Sequence, residues 1–283
     1  MPPIQHVPST DGVTLALIDL GGNGSPLLFC HPTGFHGMIW APVAAHLAEV
    51  AHGWALDFRG HGDSTAPTSM DFAWERMVDD VLAVIGHLGT SDVKAVGHSM
   101  GGAALVMAEL RRPGTMSGLW LYEPIVLPRS EGGSAANPIA ATARRRRPWF
   151  PDREAAYTNF AAKPPLDALD PSALRAYVDH GLRPRHSNDG DDAVELKCSP
   201  EVEARVFENG ASAGAFDRLG DVRMPVTVAA GGDGANGPAH VAPLIAEALP
   251  QGRLERFPHL THFGPMEDPA GIAAAIRAAL DLG

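Results

Sequence analysis

Gly97-His98-Ser99-Met100-Gly101-Gly102 is the stretch on which the reading of this chain turns. It follows a short apolar run, Val93 to Val96, and opens a segment, Met100 to Arg111, that reads as a helix. Gly97 to Gly101 fits G-x-S-x-G. Between a strand and a helix this pattern forms a tight turn that lifts the serine hydroxyl above the sheet. Gly97 and Gly101 let neighbouring backbone approach where a Cβ would obstruct, and Gly102 extends that clearance into the helix. The helix beginning at Met100 also aims the positive end of its dipole at the place where an oxyanion would form. Short matches to the pattern also arise where a serine merely caps a helix, so the order of the flanking elements carries the argument.

Outward from the motif, short apolar runs alternate with amphipathic stretches, as when parallel strands are joined by crossover helices. Val13 to Leu20, Leu27 to Cys30, Trp54 to Phe58 and Leu119 to Tyr122 read as strands, with helices at Trp40 to Ala51 and Trp74 to Leu88. From about Leu127 to Leu219 the composition shifts to Pro, Arg, Asp and Ala. Helical patches stand at Asp152 to Phe160 and Pro171 to His180, with no convincing strand. Pro225 to Ala229 and Arg253 to Phe257 then resume as strands, with helices at His240 to Leu249 and Pro269 to Leu282. The expected class is α/β, a mostly parallel central sheet flanked by helices. Residues 1–126 and 220–283 make this core, and residues 127–219 form an inserted helical cap, or lid.

Of the 283 residues, 45% are hydrophobic and 19% charged, an ordinary globular balance. The formal net charge of -11 argues against nucleic acid and anionic membrane as partners, since both are polyanions. Cys30 and Cys198 match no metal or redox spacing and read as free thiols. Met1-Pro2-Pro3-Ile4-Gln5 has no basic lead into an apolar stretch, and no run of about 18 apolar residues occurs, so a cytoplasmic protein is expected. No metal cluster, dinucleotide fingerprint or phosphate loop is legible, and no cofactor is expected.

Together, His31-Pro32-Thr33-Gly34, Asp57-Phe58-Arg59-Gly60-His61-Gly62-Asp63-Ser64, Gly97 to Gly102 and His262 resemble the α/β-hydrolase superfamily over nearly the whole chain outside the cap. The resemblance implies that Ser99 is a nucleophile and His262, after the last strand, its general base. A serine needs such a base because its own proton is held at neutral pH. Nearby His259 is the competing candidate, with a loop surface residue as its plainer reading. The backbone N–H groups of Thr33 and Met100 would form an oxyanion hole, with Pro32 standing where the family usually has glycine. His31 reads as a loop histidine bonded to nearby backbone. Arg59 and Asp63 read as structural groups that hold the second loop.

The acid has two candidates. Most of the family place it after the strand that follows the cap, three residues beyond a glycine. That position here is Gly234, and Asp233 lies one residue early in a Gly-Gly-Asp-Gly turn. Glu123 ends the strand after the nucleophile helix. Haloalkane dehalogenases and certain lactonases of the superfamily place their acid after this same strand, so the resemblance supports Glu123, with Asp233 as the alternative.

Such a triad implies a serine hydrolase that cleaves a carboxylic ester or lactone through an acyl-enzyme. A C–C bond hydrolase of β-diketone-like substrates, or a receptor on the same fold with little turnover, are the alternatives. The partner is a moderately hydrophobic small molecule, and the reading allows a homodimer. Phe35, Met38, Trp149 and Phe263 are the candidate pocket residues. Arg144 to Arg147 read as a solvated helix face, because consecutive helical residues point in different directions.

Overall fold

The computed structural model describes residues 2–90, 92–128, 138–185, 193–210, 214–232 and 237–283. Its sheet begins with β1 (Ile4–Pro8), β2 (Thr14–Gly22) and β3 (Ser25–Cys30). Helix α1 (Ala41–Leu47), β4 (Ala51–Asp57), α2 (Trp74–Leu88), β5 (Lys94–His98), α3 (Met100–Arg111) and β6 (Gly118–Tyr122) follow. The segment from β6 to the next core strand contributes β7 to β9 and α4 to α7, described below, and the core closes with β10 (Val226–Gly231), α8 (Pro238–Ala248), β11 (Gly252–Phe257), α9 (Gly264–Glu267) and α10 (Pro269–Ala279). The eight strands run in the order β1-β2-β4-β3-β5-β6-β10-β11. Only the β1–β2 and β2–β4 pairs are antiparallel.

A parallel sheet covered on both faces needs strands that are apolar throughout, with successive side chains feeding opposite faces. Leu28, Cys30, Ala95, Leu119, Leu121, Val228 and Ala230 enter one core with α2, α3 and α8. Their neighbours Leu27, Phe29, Val96, Trp120, Tyr122 and Ala229 enter the other, with α1 and α10. Helix α2 buries Trp74, Met77, Val78, Val81, Val84 and Ile85, the stripe of a helix lying on a sheet. It stops at Gly89, which takes the left-handed conformation and returns its N–H to Ile85 O.

Strand order reverses around β3, whose chain continues to β4 on one side and, by way of α2, to β5 on the other. Ligands of open α/β sheets bind at such a switch point, beyond the carboxyl ends of the strands. The loop after β4 is pinned there. The Arg59 guanidinium, fully buried, donates Nε and Nη2 to the two oxygens of Asp80 on α2 at 2.9 and 2.7 Å. Asp63 reaches out to Lys197 of the insertion at 2.7 Å.

Between β6 and β10 the described residues form α4 (Pro138–Arg144), α5 (Arg153–Ala161), α6 (Pro171–Gly181) and α7 (Pro200–Glu208). They also form three short strands, β7 (Trp149–Phe150), β8 (Leu182–Pro184) and β9 (Val194–Leu196), paired as an antiparallel sheet. These were not expected, and two or three residues are too few to show a period of two in sequence. β1 also went unread: of its five residues only Val7 is buried, as suits an edge strand. Among the described residues no helix is long and apolar enough to cross a membrane. Cys30 and Cys198 are both free and buried.

The packing of α3 against β3 is close enough to test. A Cβ on Gly101 would lie 2.4 Å from Cys30 O and 2.8 Å from His31 O, and backbone cannot swing aside. Gly101→Ala is expected to cost about 1–3 kcal/mol, read as a lower urea midpoint. A midpoint equal to wild type would mean that helix and strand separate freely.

Candidate active site

Ser99 occupies the turn between β5 and α3 with φ 55° and ψ -117°, a conformation that L-residues avoid. Such backbone strain costs of order 1–3 kcal/mol and persists only when its surroundings hold it. They do so on both sides. Ser99 N donates to Tyr122 O at 3.0 Å, and Ser99 O accepts from Ala103 N at 3.1 Å and Ile125 N at 3.3 Å.

Glu123 follows β6 and is buried. Its Oε1 accepts the Gly231 N–H at 2.9 Å, and its Oε2 lies 2.6 Å from His262 Nδ1. That contact assigns the ring proton to Nδ1 and leaves Nε2 as the free acceptor. The His262 loop is anchored independently. Tyr122 Oη donates to Thr261 O at 2.7 Å, Thr261 N to Glu267 Oε2 at 2.8 Å, and Thr261 Oγ1 to the same carboxylate. The structure thus joins Glu123 to His262. Asp233 lies outside the described residues, and His259 is exposed.

The loop after β3 is fastened by its neighbours. His31 Nδ1 donates to Pro32 O at 2.8 Å while its Nε2 accepts from Phe58 N at 3.1 Å. His61 Nδ1 donates to Arg59 O at 3.0 Å and its Nε2 accepts from Gly34 N at 3.2 Å. Phe35 N donates to Pro32 O and Gly37 N to Asp57 Oδ1. Among the described residues the Thr33 N–H has no such acceptor. The Met100 N–H stands in the first turn of α3, where helical N–H groups lack intrahelical partners. Thr33, Ser99 and His262 all line one cavity of about 1190 Å³.

The model of the alpha/beta hydrolase fold family matches residues 25–269, most of the chain. The chain belongs to that family. It is 34% identical to Lipase LipV of Mycobacterium tuberculosis over 100 residues, 35% of this chain and 37% of that protein. To (E)-2-((N-methylformamido)methylene)succinate hydrolase of Acinetobacter baylyi it is 33% identical over 92 residues, 32% of this chain and 35% of the relative. These alignments span only about a third of each relative's length. Among solved structures, E-2-(acetamidomethylene)succinate hydrolase is similar with a TM-score of 0.81 at 22% identity, over 99% of this chain and 100% of that one. At that identity the likeness concerns the fold.

Of the pocket residues expected in this α/β-hydrolase, Phe35 and Phe263 line the cavity with ring centroids 5.8 Å apart. Met38 and Trp149 do not line it. Met38 turns into the core from a single turn of 3-10 helix, Gly37–Trp40. Trp149 faces outward, with the Arg147 and Arg185 guanidinium groups 5.5 and 4.8 Å from its ring. Its neighbour Phe150 lines the cavity, because adjacent strand residues face opposite ways.

The arginine run also departs from expectation. α4 ends at Arg144, so the argument from helical directions does not extend to the next three residues. Arg144 is solvated and pairs with Glu201 and Glu208. Arg145, Arg146 and Arg147 line the cavity, together with Lys163 and Tyr177, which no sequence pattern marked. Among the described residues no group of three or more His, Cys, Asp or Glu side chains could hold a metal ion.

Burial sets the protonation of the loop histidines. It depresses His61 to about 4 and His36 to about 3, and holds His31 and His98 well below the usual imidazole range. In the unfolded chain these rings take a proton near pH 6.5. The folded state therefore binds fewer protons below that pH and loses stability as pH falls. Asp57, raised to about 6 by burial, and Asp80, also raised by burial, act with the opposite sign but are two groups against four. For His61 alone the loss between pH 6.5 and 4 is on the order of 3 kcal/mol. Chemical denaturation at stepped pH should show stability falling across that window. A flat profile would mean that these rings are not held neutral.

Proposed function

We propose that this α/β-hydrolase is a serine hydrolase of carboxylic esters or lactones, with Ser99 as nucleophile, His262 as general base and Glu123 as the acid. The observation that carries the reading is the 2.6 Å contact between a buried carboxylate and the Nδ1 of a histidine that shares a cavity with a serine on a strained turn. A His with Nδ1 so engaged presents Nε2 to take the serine proton, and the carboxylate stabilises the imidazolium that results. Ser99 Oγ attacks the carbonyl carbon. The oxyanion is received by the N–H groups of Thr33 and Met100, the alcohol leaves with the proton carried by His262, and water releases the acyl group by the same route.

A serine at the turn disfavours epoxide and haloalkane chemistry, in which a carboxylate must attack carbon to form an alkyl ester. The lipase name of one relative accords with ester substrates, and the lining by Phe35, Ile125, Phe150, Phe160 and Phe263 suits a partly apolar acyl group.

The test is turnover of a panel of p-nitrophenyl esters and of aliphatic and aromatic lactones. Ser99→Ala is expected to abolish it with the fold intact by circular dichroism. Glu123→Gln should lower kcat by roughly 10³–10⁴-fold, because the amide cannot stabilise the imidazolium, whereas Asp233→Asn should stay close to wild type. Equal activity of Glu123→Gln and wild type would reverse the acid assignment. No turnover on any ester or lactone would sink the reading in favour of C–C hydrolysis or ligand reception.

A further inference from the structure

The described lining of the cavity bears four cations, Arg145, Arg146, Arg147 and Lys163, against one carboxylate, Glu203. Only one of the four is neutralised by it. Arg146 Nη1 lies 2.5 Å from Glu203 Oε2, and its Nη2 donates to Tyr177 Oη at 2.6 Å. That pair is largely buried and sits against the loop after β3, where a Cβ on Gly34 would meet Glu203 Oε1 at 2.6 Å. Arg146 is thus spent on structure.

The other three are held by neutral acceptors. Arg145 Nη2 donates to Thr142 Oγ1 at 3.2 Å, Arg147 Nε to Trp149 O at 2.8 Å, and Lys163 Nζ to Asn159 Oδ1 at 2.6 Å. The Arg147 guanidinium also lies 4.8 Å from the Phe150 ring centroid, beside apolar wall. Among the described residues none of the three has a carboxylate partner. In a chain with eleven more acidic than basic groups, three cations lining one cavity without a carboxylate partner among the described residues are a local reversal of sign. Oriented positive charge at the rim of a cleft concentrates anions there.

Resting on the proposed serine-hydrolase reading, we propose that the substrate carries an anionic terminus, a carboxylate or phosphate, which Arg145, Arg147 and Lys163 receive while Ser99, lining the same cavity, works on the ester. Groups that hold a non-reacting end of the substrate bind ground state and transition state alike, so the three cations act on KM more than on kcat. Their exposure makes the effect sensitive to salt.

The first measurement is binding to Ser99→Ala by calorimetry, using monomethyl esters of six- to ten-carbon dicarboxylic acids against the corresponding dimethyl esters. The acid should bind at least tenfold more tightly at low salt, and the ratio should shrink toward one at high salt and in Arg145→Gln/Arg147→Gln/Lys163→Gln. Arg145→Lys/Arg147→Lys should keep most of it, since charge rather than the fork is at issue. Hexyl phosphate and hexanoate competing for the site then distinguish the two anions. The second measurement is wild-type turnover of p-nitrophenyl monoesters of the same acids and their methyl-capped partners. Equal binding of acid and diester by Ser99→Ala overturns the anion subsite whatever the turnover. Preferential binding of the acid with no ester turnover upholds the subsite and overturns the hydrolase reading.

Discussion

The Glu123 carboxylate accepts two hydrogen bonds, one from the Gly231 N–H and one from His262 Nδ1, and the carboxyl end of the sheet is organised around it. A buried carboxylate is tolerated only when its oxygens are matched, and bonds to a charged group contribute about 1.5–3 kcal/mol each. Here each oxygen answers to a different element. One ties β6 to the end of β10, its neighbour in the sheet, and the other ties both to the loop after β11. Glu123 itself has φ 44°, a second strained residue within reach of the first at Ser99. Two such conformations on adjacent strand ends require surroundings that over-determine them, and the backbone bonds from Ser99 N to Tyr122 O and from Ile125 N to Ser99 O supply the link.

Buried neutral histidines serve the opposite wall of the site. A buried loop has to satisfy its polar backbone groups without the regular pairing of helix or sheet. Imidazole suits this because it is donor and acceptor at once, spanning two backbone groups with a fixed geometry. His31 joins the loop after β3 to the loop after β4, and His61 does so again one turn further on. The cost is a dependence on the neutral form, since a protonated ring cannot accept the Phe58 or Gly34 N–H.

Much of this was legible in sequence because it rests on short, local patterns. G-x-S-x-G with strand before and helix after marked the turn. Continuous apolar runs marked strands buried on both faces, and the position of Glu123 at a strand end was enough to nominate it. What escaped reading depends on direction. Trp149 and Phe150 are both large and apolar, and only the pairing of β7 with β9 decides which one faces the cavity. Met38 follows the loop after β3 as closely in sequence as a pocket residue would, yet the helical turn at Gly37–Trp40 rolls it into the core. Arg145 to Arg147 were read with helical geometry, but the helix stops at Arg144, and helix ends are the least readable part of a helix. Lys163 and Tyr177 come to the cavity from separate segments of the insertion, a convergence that no local pattern encodes.

The position of Glu123 just after β6 has a consequence for the segment between β6 and β10, which leaves the sheet from that same strand end. Displacement of that segment would pass directly to Glu123 if the connection were loose. It is not loose. Ile125 N is bonded to Ser99 O, Val126 is fully buried, and Val126 N is bonded to Pro124 O. Ile125 is thereby fastened to the backbone of Ser99, and Val126 to Pro124, before the chain runs on toward α4. β10, meanwhile, needs to supply only the Gly231 N–H, which any residue type except proline could donate, although the close approach of Leu260 O and Thr261 O leaves no room for a side chain at that position. In the proposed triad the chain beyond Gly231 is released from holding an acid. The start of α8, with Pro238, His240 and Val241, borders the cavity and can contribute to its shape instead.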